Sequence, residues 1–413
     1  MRNGRRVVLT GAGALTPLGI GVQESWQGLC EGRSGITNIT RFDASAMSTR
    51  MAGEVKGFHA TDFMERKVAR RSDLFAQYAI AATRMALDDA NLKIEGDLAE
   101  RTGVILGSVV GGIATLCYNL RTPEQGNAEG VSKMLASMYM PSAGANDISV
   151  VFGAKGPSRG LSTACATGGH CIGDAVRFIQ YGDADVMIAG ASEAQIVPVF
   201  IDCLGKLHAT STRNDEPERA SRPFEKDRDG LVSGEGAGVL ILETLEHAQA
   251  RNAHIYAEIA GFASNIDAHH AVKPEFRSQA RCISLALQDA HVQPSDVQYV
   301  NAHGTSTVLG DLSETKALKL AFGEWAHNLM ISSNKSMLGH MWSASGAVET
   351  IFTALTLQTG VVPPTINYNT PDPECDLDFV PNVKRTADVR TAISQSFGFG
   401  GMNAVLVFSR MED

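Results

Sequence analysis

Along this chain, short apolar runs rich in β-branched residues alternate with longer stretches of helical periodicity. The pattern predicts strands over 6–12, 101–108, 186–190, 238–243, 255–263, 297–303, 329–335, 391–397 and 403–409. It predicts helices near 73–90, 165–181, 277–291, 311–322 and 343–358. Strands that alternate with helices define an α/β protein, and a largely parallel sheet is expected. One outline occurs twice. "LSTACATGGHCIGDAVRFIQ" and "ISSNKSMLGHMWSASGAVETIFTAL" each read as a strand, a turn of small residues and a helix. The repeat suggests two similar halves, 1–253 and 254–413, with no Pro/Ser-rich linker between them.

A length of 413 residues accommodates either two domains or one large unit built from two halves. The net charge of −9 argues against nucleic-acid binding through a broad basic field. No apolar run reaches the length of a membrane span. The N-terminus enters a strand-like run at once and shows no secretory or transit pattern, so a cytoplasmic location is expected. The seven cysteines are scattered, odd in number and free of CxxC spacing. That favours a reducing compartment over a disulfide framework or a zinc site.

Cys165 stands apart from the other six. It follows a strand-like segment and precedes a helical pattern, and Ala164, Ala166, Gly168 and Gly169 leave room around it. A thiol at a helix N-terminus meets free N–H groups that lower its pKa and hold an oxyanion, the arrangement nucleophilic acyl transfer needs. Cys171 falls inside the helix as packing. Cys30, Cys117, Cys203, Cys282 and Cys375 read as small apolar fillers. His303 in "NAHGTST" and His340 in "NKSMLGHMWSASG" each end a strand-like run beside small residues, where a polar side chain faces a cleft. A histidine hydrogen-bonded in a turn is the alternative for each. Lys335 sits at a strand end, and Glu349 on the next helix can partner it if it is buried. Otherwise Lys335 is a surface lysine. A zinc site from Cys165, His303 and His340 lacks a short-range ligand pair.

"SFGFGGMN" (396–403) lies between two strands, where glycine permits close backbone approach or movement. A plain hairpin is the alternative. "VVLTGAGALTPLG" resembles a dinucleotide fingerprint, but Thr16, Pro17 and the lack of a suitably placed acidic residue argue against it.

Taken together, "STACATG" (162–168), "NAHGTST" (301–307), "KSMLGH" (335–340), "GAVE" (346–349) and "SFGFGG" (396–401) resemble the elongating β-ketoacyl-[acyl-carrier-protein] synthases of type II fatty-acid synthesis. "YGDADVMIAGASEA", "ASRPFEKDRDG" and "PPTIN" match in order, and the likeness spans essentially the whole chain. It implies the thiolase-like fold, two βαβαβαββ halves forming a five-layered αβαβα core. It also implies a homodimer whose acyl pocket reaches the subunit interface.

By the same resemblance, Cys165 carries the acyl chain as a thioester, and its N–H with that of Phe399 forms the oxyanion hole. His303 and His340 hold the malonyl thioester oxygen and promote loss of carbon dioxide. Lys335, paired with Glu349, sets the electrostatics. Thr305 and Thr307 hold the pantetheine arm, Val110 lines the acyl pocket, and Phe399 is a gate flanked by Gly400 and Gly401 in the substrate site. No metal or nucleotide cofactor is implied. The partner is acyl-carrier protein, with docking expected at Arg70, Arg71 and Lys206, helped by His208. A solvated helix face is the alternative for "ERKVARR" (65–71).

The chain departs from the family pattern at Asn334, Leu338, Met341, Trp342 and Met402. "GHMWSASGAVE" stands where "GHLLGAAGAVE" is usual. These changes remove no catalytic group but leave chain length and pathway open. A thiolase would need a second cysteine where "GFGGMN" has none, and initiating synthases carry Asn where His340 stands. A cysteine hydrolase has no use for His340 with Lys335. A chain-length-factor-like accessory subunit typically lacks the nucleophile.

Overall fold

The computed structural model describes residues 4–124 and 130–411. Leaving aside shorter excursions, the N-terminal half runs β1 (Val7–Thr16), α1 (Leu74–Asp89), β2 (Thr102–Gly107), α2 (Ala143–Phe152), β3 (Ser158–Leu161), α3 (Thr167–Tyr181), β4 (Val186–Glu193), β5 (Gly236–Thr244). The C-terminal half repeats the order as β6 (Ala257–Ile266), α4 (Phe276–Ala290), β7 (Tyr299–Asn301), α5 (Val308–Phe322), β8 (Met330–Ser332), α6 (Ser343–Thr359), β9 (Thr391–Gly398), β10 (Met402–Ser409).

The strands are ordered β3-β2-β4-β5-β1 and then β6-β10-β9-β7-β8. Each half has the same pairing: β2 is parallel to β3 and β4, as β7 is to β8 and β9. The remaining pairs are antiparallel, β4–β5–β1 matching β9–β10–β6. The sheet is therefore mixed, not largely parallel. The last two strands of each βαβαβαββ unit pair antiparallel, and the second of them pairs antiparallel with the unit's first strand as well. Within the sheet the two halves are joined by the pairs Val8–Glu258 and Leu9–Ala257.

Side chains alternate along the strands and sort into layers. Val104, Leu106, Val186, Ile188, Val239 and Ile241 face outward onto α1 and α2. Ile105, Met187, Ala189, Leu240 and Leu242 face inward onto α3 and α6. In the C-terminal half, Ile283 and Leu287 of α4 and Leu318 of α5 cover Val300, Ile393 and Val405. The layers are α1/α2, sheet, α3/α6, sheet, α4/α5, the five-layered arrangement the resemblance implied.

Two glycine clusters show what the small residues do. A Cβ on Gly13 would lie 2.0 Å from the Ala82 carbonyl, and one on Gly11 2.3 Å from that of Ala86. The "GAG" of β1 is thus a close strand–helix contact, and β1 continues as strand through Thr16, which removes the dinucleotide turn. In the central layer, a Cβ on Gly168 would meet the Ala347 nitrogen and Ser343 oxygen at 2.6 Å. The glycines let α3 and α6 touch within their first turns, so the residues preceding each helix converge.

Among the described residues, no helix is long and apolar enough to cross a membrane. Cys171, Cys282 and Cys375 are buried as expected, but Cys203 is exposed on the short helix Pro198–Lys206 and fills no core.

Candidate active site

Cys165 sits in a tight turn between β3 and α3. Ala164 is held at φ +51°, in the left-handed region. Thr167 clamps the turn: its hydroxyl accepts from the Thr163 N–H (2.8 Å) and donates to the Ala164 carbonyl (2.6 Å). The thiol is buried, and the N–H groups of Phe399 and of Cys165 itself face it. Burial nonetheless pushes the thiol up to about 12, past the lowering effect of those N–H groups and of Lys335. The helix N-terminus does not produce the lowered pKa expected from sequence, because desolvation of a thiolate outweighs it.

The Cys165 sulfur and one ring nitrogen each of His303 and His340 all lie within 4.8 Å of one another. His303 is carried two residues beyond the end of β7, not at the strand end itself. Its backbone N–H and that of Gly304 both donate to the Glu314 carboxylate at 2.7 Å. Glu314 is on α5 and also accepts from the Gln395 amide (2.5 Å). Burial raises its pKa to about 7. Asp311, one turn earlier, accepts from the N–H groups of Phe224 (2.7 Å) and Ser306 (3.1 Å), fixing the other side of the same loop.

β8 ends at Ser332, and Lys335 opens a one-turn helix, Lys335–Leu338, rather than closing a strand. His340 follows it. The Trp342 N–H donates to His340 Nδ1 (3.3 Å), and the Ser345 hydroxyl lies 3.2 Å from the same nitrogen. A backbone N–H can only donate, so Nδ1 is the acceptor and the ring proton sits on Nε2. His340 Nε2 is buried with no partner among the described residues, as is His303 Nδ1. The rings stand edge to face, 5.4 Å apart at 86°. Burial, with Lys335 adding to it, holds both histidines well below the usual imidazole range. Both rings are neutral at neutral pH, and His340 carries its proton on Nε2.

Lys335 and Glu349 are both buried and form an ion pair. Burial raises the Glu349 pKa, and Lys335 works against that rise. The surface-lysine alternative is thereby removed.

A cavity of about 350 Å³ opens onto the three groups. Thr305, Thr307, Phe399, Gly400 and Gly401 line it, and the two threonine hydroxyls are 2.9 Å apart. "SFGFGGMN" is indeed a hairpin, β9 to β10, with Gly398 opposite Met402. Its tip, with Gly400 at φ +79°, forms part of the cavity wall. Val109 packs in the apolar cluster around Cys165. The neighbouring Val110 is half-buried, and its N–H donates to Glu193 (3.3 Å).

Arg70 is exposed and Arg71 half-buried, both just beyond the short helix Arg66–Ala69 and outside the cavity lining. Lys206 pairs with Asp202 at 2.5 Å and immediately precedes Leu207–Ala209, which line the cavity mouth with Lys273.

Glu314, Asp311 and Glu193 escaped the sequence reading. Glu193 is fully buried and accepts from Ser108 (2.8 Å), Val109 (2.7 Å) and Ser343 (2.5 Å). It ties the loop after β2 to the start of α6. Its signal was an acidic residue closing an otherwise apolar strand.

A doubly repeated thiolase-like fold with a buried Cys–His–His group defines a condensing acyltransferase. The family description "Beta-ketoacyl synthase, N-terminal domain" matches residues 4–248, and "Beta-ketoacyl synthase, C-terminal domain" matches 256–369. The chain is 48% identical, over 100% of both chains, to 3-oxoacyl-[acyl-carrier-protein] synthase 2 of Staphylococcus aureus (strain N315). A β-ketoacyl synthase from Burkholderia phymatum STM815 superposes with a TM-score of 0.92 at 37% identity, covering 99% of this chain and 100% of that one. A type II polyketide ketosynthase, solved with its acyl-carrier protein, superposes with a TM-score of 0.90 at 37% identity and the same coverage. The chain belongs to the β-ketoacyl synthase family, and its activity is that of an elongating condensing enzyme.

Proposed function

We propose that the chain joins an acyl group held on Cys165 to a malonyl unit, both delivered on acyl-carrier protein, giving a β-ketoacyl thioester two carbons longer. The acyl group first passes from the carrier's pantetheine sulfur to Cys165. The N–H groups of Cys165 and Phe399 receive the oxyanion of that transfer. Malonyl thioester then enters, and its carbonyl oxygen accepts from His303 and His340. Carbon dioxide leaves, the bonding electrons move into the enolate, and the enolate carbon attacks the acyl-Cys165 carbonyl; the acyl–sulfur bond breaks and the Cys165 thiolate leaves and takes up a proton.

The observation that carries this reading is the fixed tautomer of His340. A neutral Nε2–H, buried, unpartnered and near the nucleophile, stabilises an enolate oxygen more than the ground-state carbonyl. Lys335 with Glu349 keeps both rings neutral, and Glu314 positions His303. Thr305 and Thr307 hold the pantetheine arm, the tip at Phe399–Gly401 gates it, and Val110 borders the acyl side. The chemistry requires no metal or nucleotide.

The carrier complex of the related ketosynthase supports acyl-carrier protein as partner. Exposed Arg66, Lys67 and Arg70, with Arg71 and Lys206, supply positive charge for it on an acidic chain. A homodimer is supported by the exposed edge strand β3 and the apolar side chains near it. The halves divide at 253/254, and seven unpaired cysteines fit a cytoplasmic setting. An accessory, non-catalytic subunit is disfavoured by the presence of Cys165.

The test is intact-mass spectrometry with acyl-carrier-protein thioesters, wild type beside Cys165→Ala, followed by carbon dioxide release from labelled malonyl-carrier protein. One acyl adduct that vanishes in the variant supports the synthase. No adduct and no carbon dioxide would overturn it in favour of the accessory subunit.

A further inference from the structure

The surroundings of the Cys165 thiol fall into two sets. One is the open cavity with Thr305, Thr307 and the hairpin tip. The other is closed and apolar: Val109, Phe200, Leu204 and Trp342, with Phe399 between the sets. None of those four lines the open cavity. On the reading above, the carrier arm enters through the open side, so a chain held on Cys165 extends into the closed one.

Trp342 occupies that closed side. It is 3% exposed. Its indole stacks on His340 with centroids 5.0 Å apart at 15°, and meets Phe200 (5.1 Å, 76°) and Phe399 (6.0 Å, 70°) edge-on. The indole N–H donates to the Ser233 hydroxyl (3.2 Å), which also accepts from the Gln195 amide (3.0 Å). The backbone, at φ +52°, is held by the N–H bond to His340. Swinging the indole aside would strand a buried donor and break the stack. The rotation that would open the pocket is therefore opposed from several directions.

We propose that Trp342 sets acyl-chain selectivity: its indole closes the apolar side of Cys165, so short acyl groups load faster than long ones. The inference rests on Cys165 as the acyl carrier. In the step concerned, the Cys165 sulfur–acyl bond forms and the pantetheine sulfur–acyl bond breaks. The thiol proton ends on the released pantetheine sulfur.

The experiment compares loading rates of hexanoyl- and hexadecanoyl-carrier protein on one protein sample by intact mass, so that any general loss of reactivity cancels in the ratio. Wild type is expected to favour hexanoyl by about tenfold or more, the scale at which a few misplaced methylenes are discriminated. Trp342→Leu is expected to bring the ratio near unity, with Trp342→Phe between. Ser233→Ala, which removes the acceptor that the indole shares with the Gln195 amide, moves it the same way. Equal loading by wild type, or a ratio unmoved by Trp342→Leu, overturns the assignment. If Trp342→Leu does not fold, Trp342→Phe and Ser233→Ala decide it by the same criterion. Absence of any adduct in folded wild type overturns the acyl-carrier reading, and this inference with it.

Discussion

At Cys165 two effects oppose each other, and burial wins. A thiol pushed up to about 12 is protonated at neutral pH. Its alkylation by iodoacetamide is therefore expected to climb with pH, without a plateau below about pH 10. A plateau near neutral pH would show that the facing N–H groups outweigh desolvation. The histidines make the converse prediction. His303 and His340 are held well below 6.5 by burial, so the folded chain stays neutral where the unfolded chain takes up protons. As pH falls below about 6.5, the unfolded state binds more protons, and stability drops by up to about 1.4 kcal/mol per pH unit for each ring. The loss continues down to the folded pKa values. Urea midpoints from about pH 7 to about pH 5 give the slope, and His340→Gln should make it shallower. Glu314 acts at one remove. Glu314→Gln turns an amide N–H toward one of the two backbone N–H groups it now accepts, so His303 shifts. Release of carbon dioxide is expected to fall about a hundredfold, the cost of a small misplacement, while acyl loading of Cys165 persists.

Among the elements, the crossing of α3 and α6 decides whether the site exists. Alanine normally gains about 1 kcal/mol over glycine inside a helix. At Gly168 the new methyl would sit 2.6 Å from backbone atoms of α6 that cannot yield locally. Gly168→Ala is expected to lose about 1–3 kcal/mol despite the propensity gain, and to separate Cys165 from His340. Chemical denaturation and acyl loading together check both effects. The long elements could be read from the sequence because each carries a full period of its pattern. The strands near 186–190 and 238–243 and the helix near 343–358 all appear as expected. The strand before Cys165 was placed from Leu161 onward rather than at Ser158–Leu161, and α2 was not read. β3 is Ser-Arg-Gly-Leu, with no β-branched residue, and α2 mixes small residues with a Ser-Val-Val run typical of strands. Cys165, His303 and His340 stood out because each is a reactive side chain among small residues at a turn. Glu314 and Asp311 did not, because a helix carrying Asp311, Glu314, Lys316 and Lys319 looks like a solvated face. Only the three-dimensional fold shows that its acidic side turns inward to the His303 loop.

For the whole molecule, the unsettled surface is the one around β3. That strand ends the sheet, and its first three residues are exposed. An exposed strand edge invites pairing with another chain unless it is covered. Val150 of α2, packed beside β3, is 70% exposed, and Leu120, on the helix Ile113–Glu124, is 60% exposed. Isolated exposed apolar residues need no explanation, but an apolar side chain beside a bare sheet edge fits a pairing surface. A second copy related by a two-fold axis presents the same strand and the same side chains, so each edge is covered by its counterpart. The protein is therefore expected to elute as a dimer, with its mass read by light scattering. Leu120→Glu combined with Val150→Glu puts negative charge on exposed apolar positions of both copies. Both positions are exposed in the single chain, so the substitutions leave its core intact. The double variant should shift to monomer at micromolar concentration while keeping its circular dichroism spectrum. A dimer that survives the change would move the interface elsewhere. A wild type that is monomeric would leave the edge strand to another partner, and the acyl pocket would then be built from one chain alone.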